Sequence, residues 1–69
     1  MSRQLRQMLE KDVQTSKVEK VAIEYDARPS NTEFLTVEFE NGNKYFFSDG
    51  EYGEVPVWRV ETKKGEVIT

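Results

Sequence analysis

The densest group of side chains able to do chemistry in this 69-residue chain is Asp49, Glu51 and Glu54, set around Gly50 and Gly53. Carboxylates on a turning segment offer oxygen ligands to a hard cation such as Ca²⁺ or Mg²⁺. Their spacing matches no calcium-loop pattern, so a weak divalent-cation site stands as an alternative to a plainer reading, in which these are solvated charges that keep a loop soluble. The chain has no histidine and no cysteine. That removes the commonest general base near neutral pH, the commonest nitrogen ligand for metals, every Ser-His arrangement and every thiolate. No glycine-rich phosphate loop or zinc-ligand spacing is present either. The expectation is therefore a protein that is not an enzyme and needs no cofactor.

Aromatic residues are the second group of interest. Phe34 and Phe46 fall on alternate positions of two apolar runs, while Tyr52 and Trp58 lie in or just after the acidic stretch that holds Glu51 and Glu54. Aromatic rings exposed on a sheet can stack nucleic-acid bases if a basic groove guides the backbone to them, here from Lys17, Lys20, Arg28 and Arg59. The charge near the rings argues against this, since residues 33–54 carry six acidic side chains against Lys44 alone. The same rings suit a protein interface, where aromatic anchors are enriched and charged rims steer the partner. The competing reading is a sheet curled enough to bury both of its faces, with Trp58 as cover.

These side chains need elements to hold them. Residues 34–47 read as a β-hairpin, two period-two runs flanking Asn41-Gly42. A three-residue turn with Gly42 in the left-handed position pairs Phe39 with Asn43, Glu38 with Lys44, Val37 with Tyr45, Thr36 with Phe46 and Leu35 with Phe47. That register sorts Leu35, Val37, Phe39, Tyr45 and Phe47 onto one face and leaves Phe34 and Phe46 on the other. Residues 18–25 alternate, with Val21, Ile23 and Tyr25 on one side and Lys20, Ala22 and Glu24 on the other. Residues 26–32 read as a loop around Pro29. A strand over residues 55–61 starts beside Pro56, and Thr62-Lys63-Lys64-Gly65 repeats the first turn so that Ile68 opposes Val60.

Ahead of the strands, Leu5, Met8, Leu9 and Val13 recur at helical spacing, which predicts a helix over residues 2–14 with Ser2 as its N-cap. A helix this short is marginal alone and should form by docking its apolar stripe on the sheet. Arg3, Arg6 and Lys11 make no continuous basic face, because Glu10 and Asp12 interrupt it.

The fold class that follows is α+β, one domain over residues 1–69, with an N-terminal helix packed on an antiparallel sheet of four or five strands built from hairpins. The expected core is Leu5, Leu9, Val21, Ile23, Leu35, Val37, Phe39, Tyr45, Phe47, Trp58 and Val60. A chain this short buries about 60% of the surface its unfolded form exposes and has little core to spare for a deep pocket. The absence of cysteine suits a reducing compartment. The opening residues lack the apolar run of a signal peptide, and the whole chain lacks a membrane-length apolar stretch, so a cytoplasmic location is expected. A formal charge of −3 argues against general affinity for nucleic acid. The expected function is a small protein-binding or regulatory module, with a homodimer as one form of that partnership. Its candidate anchors are Phe34, Phe46, Tyr52 and Trp58, beside Glu51 and Glu54.

Overall fold

A computed structural model describes residues 3–26, 32–48 and 57–69. Helix α1 (Arg3–Thr15) is followed by strands β1 (Val18–Asp26), β2 (Thr32–Phe39), β3 (Lys44–Phe47), β4 (Val57–Glu61) and β5 (Val67–Ile68). The strands form one antiparallel sheet in chain order, β1-β2-β3-β4-β5. This is the α+β architecture expected, with α1 packed on the sheet.

The β2–β3 pairing is the one the turn residues dictate: Leu35 opposes Phe47, Thr36 opposes Phe46, Val37 opposes Tyr45 and Glu38 opposes Lys44. Gly42 takes φ +93° and donates its N–H to Phe39 O at 2.9 Å, and Phe39 N–H donates to Asn43 O at 2.9 Å. The β4–β5 turn repeats this geometry. Gly65 has φ +89°, and Val60 opposes Ile68.

Along α1, Leu5 is buried, and Met8 and Leu9 pack against the core. The stripe then runs into Asp12, which is 5% exposed, while Val13 is 64% exposed. Helical geometry explains the exchange: at about 100° per residue, position 12 lies only about 20° from Leu5 around the axis, and position 13 about 80° away. The inward direction at the end of α1 therefore belongs to a carboxylate. Ser2, the expected N-cap, lies outside the described residues.

The core consists of Leu5, Phe39, Tyr45, Val57 and Val60, with Val37, Phe47 and Ile68 packed against it. Four expected core residues are instead exposed: Val21 at 57%, Ile23 at 66%, Leu35 at 36% and Trp58 at 44%. Two physical causes account for them. A helix about 10–12 Å across covers two or three strands spaced about 4.8 Å apart, and α1 sits over the β3–β4 side of the sheet, leaving β1 and Leu35, paired with Ile23 on β2, beyond its reach. In β4 the cause is a bulge, since Phe46 opposes Arg59 but Phe47 opposes Val57, and Trp58 is the extra residue. Strict alternation would put Trp58 on the same face as Val60. The bulge lets Val57 and Val60, three apart, both point at the helix and turns Trp58 to the opposite side.

Candidate functional site

On the sheet face away from α1, Phe34, Phe46 and Trp58 meet in one cluster. Ring centroids are 5.9 Å apart for Phe34 and Phe46, 5.6 Å for Phe46 and Trp58, and 6.2 Å for Phe34 and Trp58, the last pair edge to face. The pairing of Thr36 with Phe46 brings the β2 and β3 rings together, and the β4 bulge adds Trp58. Lys44 Nζ stands 5.2 Å from the Phe46 ring centre and the Arg59 guanidinium 5.4 Å, so two cations lie within cation–π range of the ring. Phe46 is buried as a result, Phe34 is half-buried and Trp58 is exposed. At 8% exposure Phe46 keeps little open surface, in line with the competing reading in which the sheet buries both of its faces.

Both cations over Phe46 have acidic partners. Lys44 Nζ lies 3.7 Å from Glu24 Oε1, and Arg59 Nη2 donates to Glu61 Oε1 at 2.8 Å. Lys17 and Lys20 are exposed. Glu51, Tyr52 and Glu54, with Asp49 and Arg28, lie outside the described residues. Among the described residues, no three acidic side chains converge into a set that could hold a metal ion, and no helix is long and apolar enough to cross a membrane.

A second group lies on the helix side. Asp12 Oδ1 accepts from Asn41 Nδ2 at 2.9 Å, and Asp12 Oδ2 accepts from Asn43 Nδ2 at 2.9 Å and from the Tyr45 hydroxyl. Asn41 Oδ1 also accepts from Asn43 N–H at 3.0 Å, which shapes the turn that presents both amides. Burial raises the Tyr45 phenol well above its ordinary range, and its hydrogen bond to Asp12 and the charge of that carboxylate add to the shift. Three donors on one carboxylate make a clamp between α1 and the β2–β3 turn. A carboxylate so occupied is poorly placed to act as a base toward an incoming group.

The third group is the exposed part of the helix-side face. Val21 and Ile23 are more than half exposed, as is Tyr25, and Leu35 borders them on β2 across the Ile23–Leu35 pair. They sit on the strand that ends the sheet. Sequence reasoning assigned Val21, Ile23 and Leu35 to the core because their alternation is that of a buried face. Comparing the width of five strands with that of a single helix would have exposed the shortfall. Compared with known proteins, the chain matches no family model, no curated protein and no solved structure.

Proposed function

We propose that this chain is a small protein-binding or regulatory module of the cytoplasm with no catalytic centre, and that it docks its partner on β1. The observation that carries this reading is the exposure of Val21 at 57% and Ile23 at 66% on a nine-residue strand at the sheet's border. Contiguous apolar side chains left in water on a small domain are costly unless a partner covers them. A border strand also presents a row of main-chain donors and acceptors, so the matching partner is an extended segment with apolar residues at alternate positions. The absence of histidine and cysteine supports binding over catalysis, and the lack of cysteine supports a reducing compartment.

Selection from a random peptide display library tests this. The expected winners alternate apolar and polar residues, bind the wild-type chain and lose binding to Ile23→Lys, while Trp58→Ala retains it. Winners that bind Ile23→Lys equally well, or that depend on Trp58, would overturn the assignment to β1.

A further inference from the structure

We infer that the segment β1 recognises is β1 of a second copy, paired antiparallel about a two-fold axis at Ala22. This rests on the binding reading above and names its partner. The two borders of the sheet differ sharply. β5 has two residues and follows a turn bearing Lys63 and Lys64, while β1 has nine residues and departs from regular pairing only between Val18 and Lys20. Short, lysine-flanked borders resist strand addition, whereas long regular ones invite it.

The sequence of β1 selects the register. In an antiparallel pair of identical strands related by a two-fold axis, one residue faces itself and its neighbours pair symmetrically outward. With Ala22 at the centre, Val21 faces Ile23 of the other copy on the helix-side face, and Lys20 faces Glu24 on the opposite face, each pair occurring twice. Apolar meets apolar, cation meets anion, and the small Ala22 sits at the axis. Centring on Val21 leaves Lys20 facing Ala22, and centring on Ile23 sets Lys20 against Asp26 but moves Glu24 opposite Ala22, so only the Ala22 register gives both Lys20 and Glu24 an opposite charge. Lys20 is exposed and makes no ion pair among the described residues, and Glu24 retains exposed surface beside Lys44. The result is a continuous ten-stranded sheet. In it the Val21 and Ile23 side chains of the two copies form one strip between the two helices, on the same side of the sheet.

An interface of one strand pair is small, so association belongs to the weak class and must be sought at high concentration. Sedimentation equilibrium of the full chain up to about 1 mM is the measurement. A reversible dimer is expected. Lys20→Glu and Glu24→Lys should each weaken it about tenfold or more by placing like charges opposite one another twice. Mixing the two variants in equal amounts should restore association as a heterodimer, and the double variant K20E/E24K should dimerise again. Lys20→Glu also sets a carboxylate opposite Glu38 of β2, and Glu24→Lys disturbs Lys44, so recovery on mixing the two variants and in K20E/E24K decides the outcome; amide dispersion in the NMR spectrum reports whether each variant is folded. A wild-type chain that stays monomeric throughout, or a dimer indifferent to Lys20→Glu, overturns self-pairing. If such a monomer still binds alternating peptides along β1, the binding reading survives without the second copy. If it binds none, both fall.

Discussion

Asp12 is the residue on which the helix and the hairpin agree. Its side chain receives two turn amides and the Tyr45 hydroxyl, and Glu40 N–H donates to Lys17 O at 2.8 Å just past the end of α1. Asp12→Ala strips three donors of their acceptor. Asn41 and Asn43 can turn to water, but the Tyr45 hydroxyl is fully enclosed, so the loss should be roughly 3 kcal/mol in urea unfolding. A change under about 1 kcal/mol would mean the clamp is ornamental. The phenol adds a pH dependence whose sign follows from linkage. Tyr45 has its folded pKa raised above that of the unfolded chain, so the stability tied to its neutral form is complete below about pH 10. Above that, the unfolded chain releases a proton the folded one retains, and stability should fall by up to about 1.4 kcal/mol per pH unit. Tyr45→Phe should be less stable at neutral pH and lose this part of the alkaline slope. Equal alkaline slopes for the two proteins would show that the phenol does not control it.

At the scale of elements, the two turns share a backbone but not surroundings. Gly42 and Gly65 both hold positive φ, which side chains with a Cβ rarely adopt. A Cβ at Gly42 would stand 2.5 Å from Lys63 Cβ in the neighbouring turn, while one at Gly65 would meet nothing within 4 Å. Gly65→Ala should therefore cost about 1 kcal/mol, the backbone strain alone. Gly42→Ala should cost clearly more, because the two turns must separate. Equal losses in thermal unfolding would show that the turns part freely. Glycines of this kind are why the β2–β3 and β4–β5 registers were legible in the sequence: a left-handed residue after a tight turn leaves one pairing that also sorts the faces. The β4 bulge carries no such mark, since Trp58 needs no unusual backbone signal to become the extra residue. Alternation alone therefore places Trp58 in the core, where Val57 stands instead. The candidate anchors suffered in the same way. Phe34, Phe46 and Trp58 do share a face, but only the bulge and the cations over Phe46 decide how little of that face stays open.

At the scale of the molecule, one helix cannot cover five strands. Four strand spacings of about 4.8 Å make a sheet about 19 Å wide, against about 10–12 Å of helix. Burial follows the helix: Tyr45 of β3 and Val60 of β4 are fully enclosed, whereas Val21 and Ile23 of β1, on the same face, are more than half exposed. Stability should be graded accordingly, because local opening is easiest where few apolar contacts must break. Amide hydrogen exchange on dilute protein should be slowest in β3 and β4 and fastest in β5 and along the outer border of β1. Leu5→Ala is the lever that tests the cause. It removes the deepest helix contact with the core and should cost about 3 kcal/mol. A domain of this size has stability of roughly 0.05–0.15 kcal/mol per residue, so protection in β3 and β4 should collapse towards that of the borders. The concentration dependence separates the fold from its association: raising the protein to the level where β1 pairs with itself should slow exchange in β1 while leaving β5 unchanged. If β1 is already as protected as β3 in dilute solution, or if both borders respond alike to concentration, the helix does not set the gradient and β1 is not the border that associates.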